Sequence, residues 1–584
     1  MVWIQHERQP SALPAGLHNV DPSLAMRRRY LPYRTLQQCC LDVSPDRDMS
    51  DDEAARYRKS RNTIGSTPDR GRTMSAARPE YDYIVVGGGT AGSVVAARLS
   101  QDADIQVLLL EAGAGDPLEA MAIPRAWLSL LGSTAVWGDT GALNAFTGMP
   151  VPTPRGRGLG GSSSINGLNF LRAHRSSYDL WPALGAPGWG FDDLLPFFRR
   201  SETCVGGDPA VRGIGGPLIV STPPAPTPLI AAAIDAGVEL GFGRAADLSS
   251  GLEIGFGWTD FNIVDGVRQS AADAYLTPAM HRPNLDIVTD ALVRRVIITS
   301  GRCTGVEYSI GGFTSSASCK EEVVLCAGAI GSAQLLMLSG VGPADHLRAV
   351  GIEPHLELPG VGANLHDHPF ATVTYSARQA VEVNLGNAPG EAVGFVRTDA
   401  LLDGPDLQFV LISLPIPVPG LAQPEEGYSI AFSIMAPHSR GSVRLASSDA
   451  DVLPVVDPNY LGDPRDIALM TEGLRIARKI GQANALQPWR GPEVHPGPDV
   501  RDTQELHEYL RHSLKCYFHY VGTCRMGADE MAVVDPQLRV RGIANLRVAD
   551  ASVMPAIVAA NTNATVYAIA EKAADLIRHS LHSR

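Results

Sequence analysis

The sequence predicts an α/β fold that opens on a βαβ unit, on three observations. The β-branched run Tyr83-Ile84-Val85-Val86 ends in a glycine-rich turn, a helical stretch from Ser93 to Leu99 follows at once, and a second apolar run, Val107-Leu108-Leu109-Leu110, ends in Glu111. The turn reads Gly87-Gly88-Gly89-Thr90-Ala91-Gly92, the spacing G-x-G-x-x-G. In such a unit the first glycine makes the tight turn, the second lets backbone amides reach a pyrophosphate at the helix N-terminus, and the third lets helix and strand pack closely. Glu111 stands 19 positions after Gly92, where an acidic side chain accepts hydrogen bonds from a ribose diol. Strand, turn, helix and acid together predict a Rossmann-like dinucleotide site. The fingerprint alone does not choose between FAD and NAD.

The rest of the chain bounds the function classes. Its 584 residues are 45% hydrophobic and 19% charged, the balance of a globular protein large enough for more than one domain. A net charge of -13 argues against nucleic acid or an anionic membrane as the partner, because phosphate binding needs clustered Lys and Arg. No run approaches the roughly 18 apolar residues of a membrane span. The 8 cysteines form no C-x-x-C pair and no zinc spacing, so no disulfide scaffold and no metal site is expected, and a reduced cytoplasmic setting is the default. Residues 1–78 are polar, charge-mixed and unperiodic, and are expected to be a disordered or non-core extension without a signal peptide's apolar segment. Met74 suits either an alternative start or the end of a regulatory tail.

After the fingerprint comes Arg155-Gly156-Arg157-Gly158-Leu159-Gly160-Gly161-Ser162-Ser163-Ser164-Ile165-Asn166-Gly167, a Gly and Ser segment suited to wrapping a flat, polar-edged ligand with backbone amides. Through Phe170 to Asp179 this segment resembles the first signature of the glucose, methanol and choline oxidoreductase family, flavoproteins that bind FAD beside a separate substrate domain. Further stretches resemble the same family in the same order. They are Gly266-Val267-Arg268-Gln269-Ser270 to Leu276, Gly328-Ala329-Ile330-Gly331-Ser332 to Gly342, Gly360-Val361-Gly362-Ala363-Asn364-Leu365 to Pro369, Phe518-His519-Tyr520-Val521-Gly522-Thr523 to Gly527, and Leu546-Arg547-Val548-Ala549-Asp550 to Thr565. The resemblance covers nearly everything after residue 80.

It implies an FAD-binding domain assembled from residues 80–180, 255–365 and 520–584, with a discontinuous substrate domain, 181–254 and 366–519, built on a mainly antiparallel sheet. It also implies cofactor contacts. Gly87, Gly89, Thr90, Ala91 and Gly92 would meet the pyrophosphate, Glu111 the adenosine ribose and the backbone of Val293 the adenine. Asp550 would stand at the ribityl or pyrophosphate side, Asn166 and Asn563 near the isoalloxazine, and Gly161 and Ser162 would also bind the cofactor. Val293 equally suits a core strand, and Asp550 a helix cap. Members that attach FAD covalently carry a histidine directly before the Asn of the Gly-Gly-Ser-Ser block. Here that position is Ile165, so a noncovalent flavin is expected.

Oxidation of an alcohol needs a base for the hydroxyl proton while the carbon's hydrogen leaves as hydride to flavin N5. By the resemblance His519 is that base, and Asn561, 42 positions on, is the second catalytic residue, an amide that orients the substrate oxygen. The expected activity is oxidation of a small alcohol to an aldehyde or ketone, with O2 or another acceptor taking the electrons. The alternative is a flavoprotein of the same family without net oxidation, a lyase or a light-driven fatty acid decarboxylase. Tyr520 departs from the proline common after the catalytic histidine, and Arg212 from the histidine common before Gly213, in a loop that reads as structural. His366 and His368 resemble a metal pair only weakly, and Cys516 and Cys524 read as buried inert thiols.

In the substrate domain, Asp463 as N-cap, Pro464 at the first position, apolar Ile467, Met470, Leu474 and Ala477 on one face and Gly481 as a stop predict a helix, and Ser442 to Leu445 a strand. The proline-broken run Leu411 to Leu421 suits either the substrate entrance or an edge strand with a loop.

Overall fold

Tyr81, Tyr83, Ile84, Val85 and Val86 are all almost wholly buried, which is why the segment ahead of the glycine turn is an interior strand. The computed structural model describes residues 80–582 apart from Pro224, Val383 and Leu385; the expected extension over 1–78, and Met74 within it, lies outside the described residues.

In chain order the framing elements are β1 (Glu80–Val86), α1 (Thr90–Leu99), β2 (Val107–Leu110), α2 (Phe191–Ser201), α3 (Pro228–Glu239) and β3 (Gly255–Trp258). Then come β4 (Leu285–Val288), β5 (Leu292–Thr299), β6 (Arg302–Ile310), β7 (Phe313–Leu325) and α4 (Gly328–Leu338). β8 (Pro369–Ala377), β9 (Ala392–Val396), β10 (Leu407–Ile412), β11 (Gly427–Ile434), β12 (Ser442–Arg444) and α5 (Pro464–Gln482) follow. The chain closes with β13 (Arg490–His495), β14 (Lys515–Cys516), β15 (Leu546–Val548) and α6 (Asn563–His582).

Two seven-stranded sheets result. The first runs β4-β2-β1-β7-β6-β5, with β15 beside β7. Its β1, β2, β4, β7 and β15 are parallel, the Rossmann-like half, while β5 and β6 return antiparallel. The second runs β3-β9-β10-β11-β8-β13, with β14 beside β8, and every pairing in it is antiparallel. α6 packs on α1 and α2 against the first sheet, and α5 packs on β8 and β11 of the second. Among the described residues no helix is long and apolar enough to cross a membrane.

Several expectations meet particular corrections. β3, inside the expected FAD stretch 255–365, pairs with β9 in the second sheet, and α2, inside the expected substrate stretch 181–254, packs on α6. Leu411 and Ile412 complete β10, which lies between β9 and β11 and so is not an edge strand. The chain leaves the sheet before Pro415, so the prolines never enter the ladder. Asp463 caps α5 as expected, accepting from the backbone N–H of Arg465 at 2.9 Å. Gly481, however, is no stop: the helix runs to Gln482, and a Cβ at Gly481 would lie 2.2 Å from the Tyr375 ring. The Arg212 loop is structural, with the guanidinium bonded to Glu202, Asp247 and Asp260.

Candidate active site

The glycine fingerprint is built as its spacing requires. Gly87 has φ +100, and a Cβ there would sit 2.6 Å from the Cys326 carbonyl oxygen; a Cβ at Gly92 would sit 1.8 Å from the Gly87 oxygen. Gly89 is the N-cap of α1, and the first turn that holds Thr90 and Ala91 carries neither a side-chain cap nor an acidic residue. The amides of that helix start are therefore left for an anion. Gly161 closes over the turn so tightly that a Cβ on it would lie 2.8 Å from Gly89 Cα, and the Gly160 N–H donates to the Gly88 oxygen at 2.8 Å. Ser162 accepts from the Gly156 N–H at 3.1 Å.

Glu111 is buried, and its carboxylate accepts from the backbone N–H groups of Gly88 (2.7 Å), Gly113 (2.7 Å) and Gly158 (3.0 Å), tying the fingerprint to the second glycine loop. Burial pushes its pKa up, against the three amides that hold it down. Val293 stands on β5, two residues after Ala291, whose N–H donates to the Glu111 carbonyl at 2.9 Å. Asp550 accepts from the N–H groups of Gly328 (2.9 Å) and Ser552 (2.8 Å) and from the Ser332 hydroxyl (2.5 Å), so it caps the turn that follows and braces the start of α4. Asn563 accepts from the Thr90 hydroxyl at 3.0 Å, which brings the start of α6 back to the start of α1. Asn166 is held by Arg268, whose Nη1 donates to Oδ1 at 2.6 Å. Ile165 is buried with Leu130 and Ala135.

A second cluster is made of side chains. The His519 ring lies 4.3 Å from the Tyr517 ring, the Asn561 side chain sits close enough to Tyr517 to pull the pKa of its hydroxyl down against the burial that raises it, and Asn561 Oδ1 accepts from Gln408 Nε2 at 3.1 Å. The expected pair, His519 and Asn561, thus meets through Tyr517 and is backed by the central strand β10. Phe518 between the rings has φ +65 and packs edge-on against Trp127.

His519 Nδ1 is 2.9 Å from His368 Nδ1, and His368 Nε2 is 3.3 Å from the Met435 carbonyl oxygen. A carbonyl only accepts, so His368 carries its proton on Nε2 and accepts at Nδ1. His519 must then donate from Nδ1, which leaves its Nε2 as a bare lone pair. Burial holds His519 well below the ordinary histidine range, helped by His368, whose own value is pushed down to about 3. Asp367 fixes both histidines by accepting from the backbone N–H groups of His519 (2.7 Å) and His368 (2.9 Å) and from the Tyr460 hydroxyl. Its own burial raises it to about 7.

His366 is no metal ligand in waiting: its Nδ1 accepts from the Ile557 N–H at 3.1 Å and its Nε2 donates to Asn364 at 3.0 Å, so both ring nitrogens are occupied. No metal-holding cluster of His, Cys, Asp and Glu occurs among the described residues. Sequence reasoning missed Gln408, Tyr517 and the role of His368. His368 was visible only as half of a His-x-His pair, and Gln408 reads as one polar residue in an apolar strand.

Comparison with known proteins adds to this geometry. Residues 81–370 and 437–570 match the N- and C-terminal family models described as GMC oxidoreductase. An oxygen-dependent choline dehydrogenase of Rhizobium etli is 38% identical over 526 residues, covering 85% of this chain and 95% of its own. The crystal structure of a pyridoxine 4-oxidase from Mesorbium loti superposes with a TM-score of 0.81 at 36% identity, covering 85% of this chain and 99% of that one. A fungal aryl-alcohol oxidase superposes with a TM-score of 0.78 at 26% identity, covering 86% of this chain and 100% of that one.

Proposed function

The chain belongs to the GMC oxidoreductase family, and from that premise we propose that it is an FAD-dependent enzyme oxidising an alcohol to an aldehyde or ketone. The cradle suits the cofactor, since a glycine turn closed by Gly161 leads into an uncapped helix start whose first turn offers backbone amides and no acidic side chain to a pyrophosphate. Gly87, Gly89, Thr90, Ala91 and Gly92 would hold that group, Glu111 and Val293 the adenosine end, and Asp550 the link. Gly161, Ser162, Asn166 and Asn563 would hold the flavin end. When bound, FAD supplies the acceptor for the hydride that leaves the alcohol carbon. Ile165 offers no nucleophile, so the reading includes noncovalent binding, with acid precipitation releasing the flavin.

One observation carries the mechanism: the chain from the Met435 carbonyl through His368 to His519 Nδ1 leaves His519 Nε2 unprotonated. That atom takes the hydroxyl proton. Asn561, its oxygen already engaged by Gln408, holds the substrate oxygen through its amide N–H without competing for the proton. Because burial keeps His519 neutral, the base is ready at neutral pH.

The test is an anaerobic panel of alcohols added to the holoenzyme. Loss of the oxidised-flavin absorbance supports the reading, and subsequent return with O2 or only with an artificial acceptor identifies the electron acceptor. A flavin that stays oxidised across the panel overturns it in favour of family chemistry without net oxidation.

A further inference from the structure

The second sheet places a cation without an ion pair on the face that carries the His519 cluster. Gln408 on β10 lies opposite Ser433 on β11, Ser433 opposite Phe370 on β8, and Phe370 opposite Lys515 on β14. Residues directly opposite in antiparallel pairs share a face, so these four form one row on one side of the sheet. That side faces the His519 cluster: Gln408 bonds to Asn561, and the Phe370 ring lies 5.1 Å from the Tyr517 ring, which tilts against the His519 ring. Lys515 ends the row, three strand spacings from Gln408, or about 14 Å between backbones.

Lys515 is half-buried. Its Nζ donates to the Ser513 carbonyl at 3.3 Å and forms no ion pair among the described residues. Enclosure without a carboxylate pushes the ammonium down to about 8, and its charge in turn lowers the nearby His495. At the other end of the row Gln408 is fully buried with its Oε1 unpartnered. A sheet face with an uncompensated cation at one end and the Gln408–Asn561 pair at the other, and the His519 cluster against it, calls for a ligand that brings the missing charge.

We propose that the substrate of this site is an alcohol that carries a carboxylate at the end of the molecule opposite the reacting carbon, with Lys515 binding the carboxylate. This rests on the alcohol-oxidation reading above and names its substrate class. A single ammonium, with no arginine fork, matches a monoanion better than a phosphate dianion. The Tyr517 and Phe370 rings between the two ends favour an apolar, flat spacer. A quaternary ammonium alcohol such as choline would meet like charge.

The experiment compares 4-(hydroxymethyl)benzoate with benzyl alcohol and choline on the holoenzyme, its Lys515→Met and Lys515→Arg variants, and measures binding of the non-oxidisable 4-methylbenzoate by calorimetry. The wild type should favour the acid over benzyl alcohol in kcat/KM by about tenfold or more, as expected of a charge-assisted contact. Lys515→Met should bring the ratio to near one and abolish 4-methylbenzoate binding, and Lys515→Arg should keep both. A wild-type ratio near one, or a preference and binding that survive Lys515→Met, overturns the proposal. If neutral alcohols reduce the flavin and the acid does no better, the anion site fails while the oxidation reading stands. If no alcohol reduces the flavin but 4-methylbenzoate binds through Lys515, the oxidation reading fails and the anion site stands.

Discussion

The glycine cradle and the histidine cluster are built by opposite means. In the cradle the functional atoms are backbone amides, delivered by Gly87 to Gly92 and Gly156 to Gly161, and its main side chain, Glu111, holds those loops together. In the cluster the atoms proposed to function are side chains, gathered from residues 367–368, 408, 517–519 and 561 on four separate stretches of chain. Backbone function tolerates little but glycine, so it is written in local spacing. Side-chain function is written in tertiary contacts. The two regions touch at the start of α6, where Asn561 serves the cluster and Asn563 meets Thr90 of the cradle.

If the two are separable, the largest effect should come from a change confined to the cluster. His519→Ala is expected to slow flavin reduction by about 10²–10⁴-fold, the usual worth of a positioned base, with the flavin content of the purified protein retained. Stopped-flow reduction and the flavin-to-protein absorbance ratio check it; a colourless variant would show that the cluster also supports the cradle. His368→Leu should cost less, about 10- to 100-fold, because His368 acts by fixing the tautomer of His519 and does not touch substrate.

The pH profile tells a positioning role from a structural one. As the proposed base His519 would work only when neutral, and burial disfavours its cation, so the acid limb of kcat/KM should lie below the pH of about 6.5 at which a free histidine protonates. Removing His368, whose neutral ring faces His519 Nδ1 and fixes its tautomer, should displace that limb. An unmoved limb would leave His368 a packing residue.

How much of this was legible follows from the same contrast. β1, the turn, α1, β2 and Glu111 could be read because burial and glycine geometry impose local rules, and α5 because its cap and apolar face repeat at helical spacing. The edge-strand alternative for Leu411 to Leu421 fails because Pro415 demotes the whole run, although the ladder ends at Ile412. Gly481 was misread because a helix-end glycine and a glycine making room for Tyr375 look alike in one dimension. The facing of His368 and His519 depends on segments 151 residues apart, and no local pattern encodes it.

The smallest and most discriminating effect concerns Glu111. If the cradle is a backbone device pinned by one side chain, Glu111→Ala should act before any ligand arrives. It leaves the N–H groups of Gly88, Gly113 and Gly158 without their acceptor, and an orphaned buried donor costs about 1–3 kcal/mol. The apoprotein should therefore unfold at lower temperature, and flavin content after desalting should fall by more than the rate per bound flavin. Glu111→Gln, which keeps one carbonyl oxygen in place, should fall between. An apoprotein whose unfolding temperature is unchanged by Glu111→Ala, with flavin content still lost, would mean that the carboxylate acts on the nucleotide alone and that the cradle holds its shape through glycine geometry without it.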